Sequence, residues 1–367
     1  MVTAPDAAPG PDDSTTTPAA PVRPPRVAIV GYGMAGREFH SRLATEAGLS
    51  VTAVVTRDPG RRAQAAGDWP GARLVGDLPA LIEMRSAYDV VVVASPTALH
   101  AEHAATLARA GVPFVVDKPI GVDGHEARAV LAEAEATGTP FTVFQNRRWD
   151  PEQLTLAALL DRGGLGDVHT FERRWERWRP TPRQRWKEND RRGGGLLLDL
   201  GPHLVDSAVV LFGRATSVWA QTRALTTPTE DDVMLVLTHE AGGGVAAGPR
   251  AVVSRLWAGS VVGAPGPRTR VLGSAGAYVV TSFEQDASPF ERFDDDAPDG
   301  TLGWLTRGRD RDAVPVADGG PADFYRGLGP WLAGQAPAPV DPADAVRTAE
   351  ILDAARESAR TGHRVDL

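Results

Sequence analysis

Residues 26–36 read RVAIVGYGMAG, a β-branched apolar run that passes directly into Gly31, Gly33 and Gly36. Between a buried strand and a helix, this spacing cradles a pyrophosphate. Gly31 allows the tight turn, Gly33 lets the phosphates approach, and Gly36 lets helix pack on strand. Met34 and Ala35 then lie where the helix N-terminus faces the anion. The segment that follows, REFHSRLATEAG, is compatible with that helix, so a dinucleotide site is the first expectation. A plain turn would also use glycine, but it would not need the flanking strand and helix.

Working outward, apolar runs alternate with helical stretches: SVTAVVT, DPGRRAQAAGDW, ARLVGD, LPALIEMRSA, DVVVVASP, TALHAEHAATLARAG, PFVVDKP, GHEARAVLAEAEATG and PFTVFQN. Such alternation marks βαβ units and a parallel sheet buried on both faces. Six strands are expected, in a doubly wound domain over residues 26–146. Beyond it the rhythm changes. A helix is expected over 151–162 and a strand over HTFERRWERW. A glycine turn, GGG, then opens a helix over LLLDLGPHLVDSAVVLFG, although Pro202 makes this no ordinary helix interior. Strand-like runs SVWAQTRA, DDVMLVLTH, AVVSRLWAG and TRVLGSAGAYVV follow. The second domain, residues 147–367, therefore reads as α+β with a large, mostly antiparallel open sheet. The acidic, glycine-rich stretch 281–320 reads as loop, and 342–361 as an amphipathic helix.

The 367 residues suit two domains, and 42% hydrophobic with 23% charged residues describes a soluble globular chain. No apolar run approaches the roughly 18 residues needed to span a bilayer. A formal net charge of -8 disfavours nucleic-acid binding through phosphates. With no cysteine there is no disulfide, no thiolate nucleophile and no cysteine-held metal, which fits the cytoplasm. Residues 1–25, rich in Pro, Ala, Ser and Thr, read as a disordered extension lacking the basic and apolar regions of a secretory signal.

Four features could carry chemistry. The second strand ends in Thr56 and Arg57, a hydroxyl and a guanidinium that suit a 2′-phosphate; Asp58 keeps a free ribose, and hence NAD, in play. Lys118, between Asp117 and Pro119, ends a buried strand at the sheet edge where ligands sit, and could steady an alkoxide. Otherwise it is a surface lysine before a loop. Asp199 and His203 stand four apart, on one face of a helix, where an imidazole can take and return a hydroxyl proton. The same pair could instead be structural, and no third ligand accompanies it, so no metal is expected. Finally, Trp149, Trp175, Trp178 and Trp186 lie among arginines; their indoles could cover the CH face of a sugar ring while Asn146, Arg147 and Asp199 meet its hydroxyls. Core packing is the plain alternative.

Together GYGMAG, SPTALH, DKP, DLGPH and PGPRTRVLGSAGAYV resemble the glucose-fructose oxidoreductase and inositol dehydrogenase family, Gfo/Idh/MocA. DKP in place of the usual EKP, with QNRRWD and RWKE, is most similar to the branch of NADP-dependent scyllo-inositol dehydrogenases. The resemblance implies a Rossmann domain, then a domain whose open sheet often joins subunits as a homo-dimer or homo-tetramer, and a last helix returning to the first domain. It implies that Lys118 touches the reacting hydroxyl, that Asp199 binds or orients, and that His203 carries the proton. Ser95, Pro96, His100 and Asp117 join the glycine loop, Thr56 and Arg57 as expected cofactor contacts; Asn146, Arg147 and Trp149 join the catalytic residues around substrate. The implied activity is hydride transfer between NADP, or NAD, and a secondary hydroxyl of a polyol, cyclitol or sugar. Rival readings are a glycosidase that uses bound NAD for transient oxidation and an inactive nucleotide-sensing regulator.

Overall fold

The structure, a computed structural model, describes residues 23–281, 289 and 291–367. β1 (Arg26–Val30), β2 (Ser50–Val55), β3 (Arg73–Val75), β4 (Val90–Val93), β5 (Phe114–Asp117) and β6 (Phe141–Phe144) form one sheet in the order β3-β2-β1-β4-β5-β6. Its pairings are all parallel. The order reverses between β1 and β4, and the crevice beyond the strand ends at such a reversal is where α/β sheets take ligands. Val90 to Val93 are wholly buried, as a parallel strand covered on both faces must be. The covering helices are α1 (Ser41–Glu46), α2 (Pro59–Asp68), α3 (Leu78–Ile82), α4 (His100–Arg109) and α5 (Gly124–Thr137). Local chemistry sets their limits: Asp58 caps α2 by accepting from the Arg61 amide at 2.8 Å, and α5 stops at Gly138, whose φ of 65° favours glycine.

The second unit starts with α6 (Pro151–Asp161), α7 (Trp186–Asn189), α8 (Leu196–Asp199) and α9 (Gly201–Phe212) around a nine-stranded sheet. That sheet contains β7 (Val168–Glu176), β8 (Ala215–Arg223), β9 (Asp232–His239), β10 (Val253–Gly259), β11 (Thr269–Gly273), β12 (Gly276–Val280), β13 (Thr301–Arg307), β14 (Asp310–Pro315) and β15 (Val365–Asp366). Its order is β14-β13-β12-β11-β7-β10-β9-β8-β15, antiparallel except between β7 and β10. Among the described residues no helix is long and apolar enough to cross a membrane.

The structure corrects four expectations. The stretch 281–320 is not all loop: β13 and β14 form a hairpin that extends the sheet. Its strand pattern is interrupted where Gly303 takes φ 75° and the pairing register shifts, so alternation never shows along the chain; residues 282–288 and 290 lie outside the described residues. The helix read over 196–213 is two helices, broken at Leu200 because Pro202 in the first turn of α9 suits a helix start. The run 269–280 folds at Ser274 and Ala275 into the β11–β12 hairpin. Residues 1–22 of the extension read as disordered lie outside the described residues, but Arg23 is tied down, its guanidinium meeting Asp89 at 2.8 and 2.9 Å.

α12 (Pro342–Thr361), flanked upstream by the short helices α10 (Asp323–Arg326) and α11 (Leu328–Leu332), joins both cores. Its Ala345, Val346 and Ala349 pack in the core of the parallel sheet, while Ile351, Leu352 and Ala355 pack in that of the second sheet. Asp353 accepts from the Gly124 amide of α5 at 2.7 Å, and Ser358 accepts from the Ala220 amide of β8 at 2.9 Å. Leu352 is 1% exposed and lies where a Cβ on Gly201 would meet it at 2.8 Å, so the Leu352→Ala cavity has tight walls. We expect Leu352→Ala to lower unfolding free energy by about 2–5 kcal/mol in urea titrations; a loss below about 0.5 kcal/mol would show that α12 is not a joint between the cores.

Candidate active site

The glycine loop is closed to larger residues. A Cβ on Gly31, at φ 94°, would meet the Ala94 carbonyl oxygen of the β4 end at 2.6 Å, and one on Gly36 would meet the Gly31 carbonyl at 2.1 Å. The loop therefore lies against the crevice between β1 and β4, with the backbone open for a pyrophosphate, and a nicotinamide dinucleotide fits it. The helix that follows the loop starts with a π-helical turn, Ala35–His40, a form common at functional sites. Met34, Ala35, Phe39 and His40 border a cleft of about 310 Å³ that also receives Asp117, Lys118, Asn146, Arg147, Lys187, Asp199 and His203. Lys118 and Asn146 follow β5 and β6, so the cleft opens at the carboxyl edge of the parallel sheet.

Lys118 reaches across to the second unit. Its ammonium donates to the Asp199 carbonyl oxygen at 2.7 Å and stands 3.7 Å from the Asp199 carboxylate. That carboxylate also meets Lys187 of α7. Burial pushes the Lys118 pKa below its ordinary value, and the charge of Asp199 works against the fall. Burial would raise the Asp199 carboxyl, but Lys118 and Lys187 hold it below the usual carboxylate range. His203 is pushed well below the ordinary imidazole value by burial first, then by Lys118, Arg147, Lys187 and Arg268. A neutral imidazole beside a lysine cation can take a hydroxyl proton while the lysine stabilises the oxygen left behind.

The remaining predicted residues separate into those at the cleft and those elsewhere. Asp199 and His203 fall on consecutive short helices rather than on one helix face, yet both line the cleft. Asn146 and Arg147 border it too, from the turn Asn146–Trp149. Trp149 does not: its indole packs edge-on against Phe324 at 5.4 Å, beside the core. Trp175 lines the cleft and tilts over His203 with ring centres 5.6 Å apart, whereas Trp178 and Trp186 are exposed outside the lining. His100 lies behind it, its ring nitrogens 2.7 Å from the carbonyl oxygens of Ser95 and Pro119, and so bridges the loops after β4 and β5. The Ser95 hydroxyl is 3.0 Å from His103 Nδ1, and Pro96 starts the next turn. Thr56 is buried and its amide donates to Val75 at 3.0 Å. The Arg57 side chain is 81% exposed, near Asp77 at 3.8 Å. No group of His, Asp or Glu among the described residues could hold a metal.

Residues 25–145 match the description "Oxidoreductase family, NAD-binding Rossmann fold", and residues 154–279 match the "GFO/IDH/MocA C-terminal domain". The chain belongs to the Gfo/Idh/MocA family. It is an NAD(P)-dependent dehydrogenase with a small-molecule substrate. It is 29% identical to the scyllo-inositol 2-dehydrogenase (NADP(+)) IolW of Bacillus subtilis, over 93% of this chain and 96% of that protein. It is 31% identical to the oxidoreductase YdgJ of Escherichia coli, over 93% and 98% respectively. Among solved structures, an oxidoreductase from Klebsiella pneumoniae superposes with a TM-score of 0.78 at 30% identity, covering 93% of this chain and 94% of that one.

Three residues at the cleft or beside the glycine loop were not singled out in the sequence. Lys187 reaches Asp199 only because the GGG turn folds α7 back onto α8; the RWKE stretch was its sole signal. Arg61 lies with its guanidinium 4.0 Å from where a Gly33 Cβ would sit. His40 is wholly buried against the ring of Phe144 at 4.4 Å, with Nδ1 2.6 Å from the Tyr325 hydroxyl and Nε2 3.5 Å from Asp117. Burial would raise the Asp117 carboxyl, but His40 above all holds it down, to about 2.

Since the Asp199 charge holds the Lys118 pKa up, Asp199→Asn removes that support and Lys118 loses its proton at lower pH. The alkaline limb of kcat/KM should accordingly move to lower pH in Asp199→Asn; an unmoved limb, or one moved upward, would contradict the coupling.

Proposed function

We propose that this chain transfers hydride between NADP and a secondary hydroxyl or ketone of an uncharged polyhydroxylated ring, a cyclitol such as an inositol or a related sugar. The observation that supports it is the gathering of Lys118, Asp199 and His203 in one cleft bordered by Met34 and Ala35 of the glycine loop. The bound nicotinamide would supply the hydride acceptor in oxidation and the donor in reduction. In oxidation His203, neutral at pH 7, takes the hydroxyl proton, and Lys118 holds the developing alkoxide. Asp199 keeps Lys118 charged and aimed, and Lys187 shares that carboxylate. Asn146 and Arg147 are placed to bond ring hydroxyls, and Trp175 offers an apolar edge beside His203.

The preference for NADP rests on what surrounds the end of β2. Asp58, the acid that could take free ribose hydroxyls, already accepts the Arg61 amide as the cap of α2. Two guanidiniums flank the place: Arg57, exposed beside the Gly76 carbonyl at 3.2 Å, and Arg61 over the glycine loop. A 2′-phosphate can bind both. IolW, named for NADP, agrees with this reading. We further propose a homo-dimer or homo-tetramer in the cytoplasm, joined through the second sheet. On its face away from the core, Trp219 pairs with Val236 and Trp257 with Met234, an apolar strip that a second copy would cover; the mass in solution by light scattering tests it.

The deciding experiment is a panel of cyclitols, polyols and aldoses with NADP and NAD, followed by nicotinamide absorbance. At least one neutral member should turn over, with little dependence on ionic strength; turnover confined to acidic substrates and lost steeply with salt would overturn the substrate assignment. A charge-assisted contact is worth about 1.5–3 kcal/mol. Arg57→Ala and Arg61→Ala should therefore weaken NADP at least about tenfold in fluorescence titrations and leave NAD nearly unchanged; equal loss for both cofactors would remove the assignment. His203→Ala and Lys118→Ala should each lower kcat by about 10² to 10⁴ while cofactor affinity holds, and near-full turnover of His203→Ala would place the proton carrier elsewhere.

A further inference from the structure

His203 Nδ1 is shut off from solvent and has no hydrogen-bond partner among the described residues. The imidazole borders two spaces, the cleft and a second, small pocket of about 10 Å³ whose acceptors are Asp150, Glu152 and Gln153 and whose donors are Arg147, Arg173, Trp175 and Arg268. A buried ring nitrogen left without a partner costs about 1–3 kcal/mol, and a pocket of this size in polar surroundings takes one water. Most acceptors of the wall are already engaged. Glu152 accepts from Arg268 at 3.1 Å and from Thr269, and Gln153 accepts from Arg173 at 2.6 Å and donates to Ser207 at 3.4 Å. Asp150 differs: it is 7% exposed and meets Arg147 at 3.1 Å through Oδ2, while no hydrogen bond among the described residues engages Oδ1. Its carboxyl is raised by burial, against the pull of Arg147.

We infer that Asp150 acts as a positioning residue: through one water held in this pocket it accepts the hydrogen-bond chain from His203 Nδ1–H and so fixes the tautomer in which Nε2 is the bare nitrogen. The role assigned to that nitrogen rests on the proposed reading of His203 as proton carrier; the water and the tautomer do not. The charged groups around the ring favour the same state. Burial above all, and then Lys118, Arg147, Lys187 and Arg268, disfavour imidazolium, so the ring stays neutral and only the choice of nitrogen remains. Water accepts from Nδ1–H and donates to the Asp150 carboxylate; the opposite tautomer would present a bare Nδ1 to that water and an N–H to the substrate hydroxyl, which could not then give up its proton. An aspartate that orients a histidine directly serves the same purpose in serine proteases.

The test has two readouts that need no substrate. A crystal structure of the full chain at a resolution that resolves ordered water should show a single water bonded to both Nδ1 and Asp150. Long-range proton–nitrogen spectra of protein labelled with ¹⁵N-histidine, with the His203 signals assigned by their loss in His203→Gln, should show the Nδ1–H tautomer from pH 6 to pH 8. Asp150→Asn should shift the signals toward the Nε2–H tautomer, whereas Arg147→Gln, which removes the Asp150 ion pair but keeps the carboxylate, should not. No water in the pocket, or an Nε2–H tautomer in the unaltered protein, overturns the proposal whether or not Asp150→Asn folds. With scyllo-inositol and NADP as the probe pair, Asp150→Asn should lower kcat by about 10- to 100-fold with KM little changed. If the water and tautomer stand while no cyclitol or sugar turns over, the reading of function fails and that of Asp150 survives.

Discussion

The contact on which the site depends is the one between Lys118 and Asp199. The lysine ends a strand of the parallel sheet and the aspartate ends a short helix of the second unit, so a charged bond crosses from one sheet system to the other. Neither charge is cheap to bury alone, and removing one partner would strand the other. Pairing both lysines with one carboxylate leaves one positive charge in excess there; burial first, and then that excess with Arg147 and Arg268, push His203 well below the ordinary imidazole value. The arrangement thus serves two ends: the Asp199 carboxylate supports the charge on Lys118, while burial and the surrounding cations disfavour a proton on His203.

That contact has value only if the two units keep their spacing, and α12 supplies the constraint. It contributes apolar side chains to both cores and hydrogen bonds to a helix of one and a strand of the other. The Arg148 guanidinium adds a second tie, bonding Asp206 of α9 at 2.6 and 2.9 Å and Asp344 of α12 at 3.0 Å. A buried, multiply bonded arginine of this kind holds geometry closely because its fork allows few orientations. The cleft is therefore a seam between the two units with its chemistry on short, well-anchored elements.

The parallel sheet was readable because its signals are local: valine runs and glycine spacing lie within a few residues of what they determine. Lys118, Asp199 and His203 were readable as residue types, but the ion pair of Lys118 with Asp199 was not, since the two are far apart in sequence. Lys187 and His40 escaped notice for the same reason, each gaining its role from a neighbour brought by folding. The β13–β14 hairpin was hidden by acidic flanks and by Gly303, which breaks strand alternation. Trp149 shows the limit of composition: an indole among arginines looks like a ligand surface, yet one turn of backbone directs it onto Phe324. The division of 196–213 into two helices had its signal in Gly201 and Pro202, which favour a fresh start over continuation.

The account stands most directly on where a bound substrate places its reacting hydroxyl. The decisive measurement is a crystal structure of the chain with NADP and scyllo-inositol. The nicotinamide should lie between Met34 and Lys118, and one ring hydroxyl should be within hydrogen-bond distance of both Lys118 Nζ and His203 Nε2. A nicotinamide in the cleft with the hydroxyl bonded to neither, or a cyclitol bound only outside the cleft, would contradict it.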